Sequence, residues 1–310
     1  MSAVSTVDRK PGGGTPPEGA NAGGPARRLA SWLHRHGWVR LGVLLSAPMA
    51  WLVVAYLGSL AVLLVSSLWR VNSFTGDLVR EPTLDNFRTI FAEPVYRNVA
   101  LRSIGVAVAV TVIDALIALP MAFFMAKVAS PRFRAGLVIA ILTPLWASYL
   151  VKAYSWRVML GNGGPVDWLL GGPGNGPGYG LTATIIVLAY LWLPYMILPI
   201  YAGLDRLPNS LLEASADLGG RGGRTFRSVV LPMIVPSVIA GSIFTFSLSL
   251  GDYITVQIVG GKTQLIGNLV FANIGAANNL PFAAALATIP VFIMIGYLVA
   301  VRRSGALNEL

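Results

Sequence analysis

Long apolar runs separated by short polar stretches dominate the chain. Six of them, at about 41–69, 99–126, 135–160, 181–204, 233–259 and 281–301, contain few charged residues. Each exceeds the roughly 20 residues that a helix needs to cross a bilayer core. The pattern predicts an all-α polytopic membrane protein with six transmembrane helices. Pro48, Pro120, Pro144, Pro194, Pro199, Pro236 and Pro290 fall inside these runs. A proline there removes one backbone hydrogen bond and kinks the helix. Membrane bundles tolerate this where a neighbour or a water-lined cavity satisfies the freed carbonyl.

The stretches between the runs set the organisation. Residues 1–26 hold Pro11, Pro16, Pro17 and Pro25 among many glycines and are expected to be a disordered cytoplasmic tail. Residues 27–40, RRLASWLHRHGWVR, form a basic interfacial segment. It is either a helix with Leu29, Trp32, Leu33 and His36 on one face or a plain basic anchor. The transmembrane domain then occupies 41–310. The loop 161–180 is Gly/Pro-rich around a short apolar WLL, and LIGNLVFANI near 265–274 is too short to span, so it is expected to be re-entrant or surface-lying.

Orientation follows from Lys and Arg. With the N-terminus inside, the cytoplasmic flanks hold thirteen basic residues, including Lys127, Arg132, Arg134, Arg206, Arg221, Arg224 and Arg227, against six outside. This favours both termini in the cytoplasm.

Composition narrows the chemistry. The 310 residues are 55% apolar and 12% charged, with a mean hydropathy of +0.68, where a soluble domain carries roughly 25% charged residues. An ordinary soluble enzyme is excluded. The net charge of +10 reads as loops facing anionic headgroups, not as a nucleic-acid surface. There is no cysteine, and both histidines, His34 and His36, precede the first apolar run. Disulfides, thiolate chemistry and a His-based metal site within the membrane are therefore absent, and no catalytic residue, metal or bound cofactor is expected.

The most informative stretch is the polar loop at 205–232, on the cytoplasmic side. Ser210 and Glu213 have the spacing of a capping box, and Gly219 is placed to end a helix over 211–218 in a left-handed turn. Asp217 precedes Arg221 by four residues, and a second short helix is expected from near Thr225 to Pro232. Two short helices joined by glycines make a stiff elbow suited to passing force to a partner.

Here the sequence resembles a known family. Glu213-Ala214-Ser215, three residues, Gly219, nine residues and Val229-Val230-Leu231-Pro232 are similar to the EAA loop of the binding-protein-dependent (MetI-like) ABC importer permeases. Ser215 replaces an alanine and Val229 an isoleucine. Segments 142–170, 198–214 and 251–270 resemble the spermidine/putrescine branch, with Lys152 where arginine is frequent and Leu280 where an aromatic is usual.

The resemblance implies a MetI-like permease fold in a bacterial inner membrane. It also implies an extracytoplasmic solute-binding protein, a second permease subunit in a heterodimer, and two ATP-binding subunits that use ATP and Mg. Glu213, Ala214 and Gly219 would be the core of the ATPase contact, with Ser215 and Asp217 on the same helix and Arg221 and Arg224 flanking it. The solute implied is a small cation such as a polyamine. Related permeases for iron or thiamine-like solutes share parts of these motifs.

Acids inside spans are costly and tend to be functional. Asp114 and Asp252 lie in the second and fifth runs. A polycation could be met by a carboxylate and aromatic faces, so Asp252, Tyr253, Asp114, Trp146 and Tyr154 are candidates for the solute path. Tyr149, Trp156, Tyr190, Trp192 and Tyr195 are further aromatic candidates. Structural roles stand beside these: Asp114 pairing with Arg102 or Lys152, and aromatics forming interfacial belts. Two aspartates also raise an intramembrane aspartic protease, because Ser249-Leu250-Gly251-Asp252 is close to the G-x-G-D pattern of that class. Gly261-Lys262-Thr263 resembles a phosphate-loop ending, but Val256 stands where the motif needs glycine, so ATP hydrolysis falls to another subunit.

Overall fold

The computed structural model describes residues 37–72 and 75–303. The tail at 1–26 and most of the basic segment at 27–40 lie outside the described residues. The chain divides into two units at Val62–Leu63. In the first, α1 (Gly37–Leu52) passes through a π-helical turn (Val53–Leu57) into α2 (Gly58–Ser66), whose last residues belong to the second. Leu44–Ser66 is long and apolar enough to cross a membrane.

After the end of α2 the second unit continues with a two-stranded antiparallel ribbon, β1 (Arg70–Val71) against β2 (Leu78–Val79), pairing Arg70 with Val79 and Val71 with Leu78. It is a small departure from an all-helical chain. The short amphipathic α3 (Asp85–Ala92) follows. Asn86 fixes it by donating to the Ser67 and Trp69 carbonyls at 2.9 and 2.7 Å.

The centre of the unit is a three-helix packing. α4 (Pro94–Phe123), extended by a π-helical turn (Phe124–Val128), packs on α8 (Leu181–Arg206) and α11 (Leu231–Gly251). In lipid there is little hydrophobic drive between helices, so close packing of small residues matters most. Gly241 lies so close to α8 that a Cβ there would sit 2.7 Å from the Met196 sulfur, and Gly203 is in contact with the Ser237 side chain. Ala118, Ala122 and Met125 of the second span fill the space beside Met196, Ile200 and Ile234.

The third apolar run is not one straight span. α5 (Pro131–Trp146) and α6 (Tyr149–Leu160) meet at 96°. Ala147 and Ser148 are extended between them, and Pro144 in the last turn of α5 weakens the helix just before the break. Six crossings are reached when this bent pair counts as one. The loop at 161–180 is ordered around the short α7 (Pro165–Leu169). There the buried Asp167 carboxylate accepts the Gly163, Gly174 and Gly176 N–H groups, each at 2.8 Å.

The fifth run also breaks. α11 stops at Gly251, and after Asp252 and Tyr253 the short α12 (Ile254–Val259) continues. α13 (Ile266–Gly275), the apolar segment too short to span, is a ten-residue helix, and α14 (Leu280–Arg303) is the last crossing.

Candidate functional site

The elbow is present between α8 and α11. α9 (Asn209–Asp217) follows Pro208, and α10 (Gly222–Thr225) runs through a π-helical turn (Phe226–Val230) into α11 without interruption. Two local expectations are corrected. The helix starts at Asn209, after Pro208 with its fixed φ, so Ser210 lies inside it and no side chain caps it. The Ser210–Glu213 capping box therefore does not form. The second short helix begins at Gly222 rather than near Thr225, because Arg221 is extended and leads directly into it.

The turn between the two short helices is a Schellman motif. Gly219 has φ +78°, its N–H donates to the Ala216 carbonyl at 2.9 Å, and the Gly220 N–H reaches the Ser215 carbonyl at 2.8 Å. Only glycine adopts such a φ cheaply. The Ser215 hydroxyl is 2.8 Å from the Thr225 hydroxyl and ties α9 to α10. This is what serine adds where the motif has alanine. Asp217 and Arg221 form no ion pair, because the helix ends between them.

Glu213, Ala214, Asp217, Gly219, Arg221 and Arg224 are all exposed, and Ser215 is half-buried. One end of the bundle thus presents a rigid polar surface. Its base is held by contacts that the sequence reading missed. The Lys127 ammonium donates to the Leu207 carbonyl at 2.6 Å and to Asn209 Oδ1 at 3.2 Å. Arg134 donates to Asp205 at 3.0 Å and to the Ala126 carbonyl at 2.8 Å. Phe226 meets Phe123 edge to face at 5.9 Å, and Leu212 packs on the core beneath. Basic residues flanking the short 127–134 connection were the available signal, but nothing local named their partners.

A cavity of about 300 Å³ lies at the break after α11, lined by Tyr149, Trp192, Ser247, Gly251, Asp252 and Tyr253 among others. Asp252 is just beyond the end of its helix rather than inside it, and is 8% exposed. Its Oδ1 accepts the Thr255 N–H at 2.8 Å, and its Oδ2 accepts the Thr255 hydroxyl at 3.2 Å and the Tyr149 hydroxyl. The carboxylate also borders the cavity itself. Trp192 stacks on Tyr149 with ring centroids 6.0 Å apart, and Tyr253 on Phe271 at 4.9 Å. Gly267 admits this arrangement, since a Cβ there would be 2.8 Å from the Asp252 carbonyl oxygen.

The other candidates are not brought to this cavity. Trp146 and Tyr154 are 89% and 56% exposed and line none of it: Trp146 lies before the bend, and Tyr154, five residues after Tyr149, is on another face of α6. Asp114 is completely buried, and neither of its carboxyl oxygens has a hydrogen-bond partner among the described residues. The expected pairing with Arg102 or Lys152 is absent. The two aspartates share no hydrogen bond and form no dyad, so the protease alternative lacks its catalytic geometry. Among the described residues no group of His, Asp or Glu could hold a metal.

Residues 90–307 match the family model described as the binding-protein-dependent transport system inner membrane component. The chain belongs to this family. The inner membrane ABC transporter permease protein YdcU of Escherichia coli K12 is 43% identical over 286 residues, covering 87% of this chain and 91% of that protein. The spermidine/putrescine transport system permease protein PotB of Haemophilus influenzae is 34% identical over 245 residues, covering 76% and 84%. PotB of Escherichia coli K12 is 31% identical over 270 residues, covering 84% and 96%.

Among solved structures, a bacterial ABC transporter that imports the acidic polysaccharide alginate is similar with a TM-score of 0.61. It is 16% identical, and the match covers 89% of this chain and 99% of that one. The alginate transporter in complex with an alginate-bound periplasmic protein gives a TM-score of 0.65 at 14% identity, covering 88% and 95%. These two establish the MetI-like fold. The family member described here is a multi-span inner-membrane permease of an ABC importer that works with a periplasmic binding protein. It is not itself an enzyme.

Proposed function

We propose that this permease carries a small polyamine, spermidine or putrescine, inward across the membrane. One observation carries the reading: a single carboxylate, Asp252, faces a cavity walled by Tyr149, Trp192 and Tyr253. An alkylammonium group suits such a site, with charge pairing at one oxygen and cation–π contact from the rings. The relatives that transport spermidine and putrescine support the same class of solute.

In this reading the N- and C-termini are cytoplasmic and the elbow docks on an ATP-binding subunit through Glu213, Ala214 and Gly219, with Ser215, Asp217, Arg221 and Arg224 around them. A second permease and two ATPase subunits complete the importer, and ATP and Mg stay with the ATPases. Closure of the ATPase pair pulls the elbow, and the bundle alternates its opening while the solute passes Asp252.

The test is ATP-dependent uptake by the purified assembly in proteoliposomes, with labelled putrescine and spermidine against iron and thiamine. Uptake of a polyamine that fails with Glu213→Arg supports the reading. Uptake of iron or thiamine alone rejects the solute assignment.

A further inference from the structure

A second cavity of about 300 Å³ shares no lining residue with the elbow or the Asp252 cavity and lies in the wall of the bundle between α3, the start of α4 and the middle of α14. Phe87, Ile90, Tyr96, Ile289, Phe292 and Ile293 line it, with Arg97 at one end. The bundle end it occupies is opposite the elbow, since α4 starts here and its far end, at Lys127, touches the elbow base. Ile90, Phe282 and Leu286 pack behind it, and Tyr96 meets Phe282 edge to face at 5.2 Å.

Three features define what fits. First, the lining follows two helices, α4 from Tyr96 to Ala100 and α14 from Thr288 to Ile293. Arg97 is three residues from the start of α4, and the α14 stretch covers about 7.5 Å at 1.5 Å per residue. Arg97, near the start of its span, is the charged side of the cavity, and the α14 residues are its apolar side. Second, the cavity is not sealed by the chain: Phe91 and Phe292 in its lining are 67% and 63% exposed. Third, Arg97 is an exposed cation with no ion pair. Among the described residues only Arg70–Glu81 and Arg134–Asp205 pair, and Glu93, one turn before Arg97, does not reach it.

We propose that this cavity is a phospholipid site, with an acyl chain lying along Ile289, Phe292 and Ile293 and the phosphate against Arg97. Arginine suits a phosphate because its planar fork can donate two parallel hydrogen bonds. The aromatic and aliphatic lining, with Arg97 as its one charged residue, suits a ligand with an apolar chain better than a fully polar one. A lipid enters laterally without leaving its own phase. The short α3, anchored by Asn86, supplies Phe87, Ile90 and Phe91 to the wall.

The test uses the importer assembly purified in mild detergent, with retained phospholipid counted by native mass spectrometry and lipid extraction. Ile289→Trp and Ala100→Phe fill the cavity from two different helices, so misfolding of one variant leaves the other. Each is expected to lower retained phospholipid about tenfold relative to the unmodified chain. Arg97→Gln is expected to remove the preference for added phosphatidylglycerol over phosphatidylethanolamine. Equal retention in whichever cavity-filling variants assemble would overturn the proposal. So would a disulfide from Phe292→Cys, in this otherwise cysteine-free chain, to a cysteine placed in the second membrane subunit. That result would mean a protein helix covers the cavity.

Discussion

The Lys127 ammonium stands 2.6 Å from the Leu207 carbonyl oxygen, joining the end of the second span to the residue where α8 gives way to the elbow. Leu207 is 5% exposed, and its carbonyl is one of the groups that a helix end leaves without an intrahelical partner. A cation at a helix C-terminus satisfies that oxygen and complements the helix dipole. The same ammonium reaches Asn209, so the two spans and the first residue of α9 share one donor.

Lys127→Met should therefore cost stability and coupling together. The buried carbonyl loses its donor, at about 1–3 kcal/mol. The elbow loses its tie to the second span, so ATP hydrolysis should continue with less solute moved per ATP. Lys127→Arg keeps a donor and should retain most of the function. Thermal unfolding and the uptake-to-hydrolysis ratio in proteoliposomes test this; a normal ratio in Lys127→Met would mean that force reaches the bundle by another route.

The glycines of the turn separate two kinds of constraint. A Cβ at Gly220 would lie 2.6 Å from both the Ser215 carbonyl and hydroxyl oxygens, a clash with backbone that must push α9 and α10 apart. Gly219 has open space but a left-handed φ of +78°. Gly219→Ala should cost about 1–2 kcal/mol from that backbone strain and leave the elbow's shape intact. Gly220→Ala should break the Ser215–Thr225 contact and weaken recovery of the ATPase subunit with the permease. Co-purification yields of the two variants, compared directly, distinguish them.

At the cavity, charge and hydrogen bonding can be separated. Asp252→Asn keeps the size of the side chain and removes the charge that would face an alkylammonium group. Apparent KM for polyamine uptake should rise by about tenfold or more. Tyr149→Phe removes only one donor to the carboxylate and should have a smaller effect. Asp114→Asn should leave KM unchanged, since that side chain is sealed away from the cavity. A KM shift in Asp114→Asn equal to that in Asp252→Asn would count against a single-carboxylate site.

Apolar length and spacing made much of this legible in sequence. The crossings follow from run length, because lipid forces every backbone group into a helix. Gly219 announced its turn because few residues other than glycine take that φ. Geometry between segments was not legible. The 96° bend after Trp146 separates Trp146 from Tyr149, which meets Asp252, and no local pattern fixes such an angle; Tyr154, five residues on from Tyr149 along α6, falls on another face of the same helix. Pro208 shifted the start of α9 by two residues and so removed the expected capping box. Lys127 and Leu207 are 80 positions apart, beyond any periodicity argument.

The loop at 161–180 offers a pH test outside the membrane. The N–H groups of Gly174, Gly163 and Gly176 hold the Asp167 carboxyl below its usual value of 3.8, because donors to the ionised form favour it. A group with a depressed folded pKa contributes stability that is complete above the unfolded value and is lost as pH falls through the folded one. The loop should therefore be fully ordered at neutral pH and loosen only below about pH 3.8. Asp167→Asn lacks the charge at every pH and should leave the three glycine amides weakly protected throughout. Hydrogen exchange of those amides, compared between the two proteins at each pH, should differ at pH 7 and converge in strong acid. Equal protection at pH 7 would show that the glycines, with Gly163 and Gly174 already at positive φ, set the loop's conformation without the carboxylate.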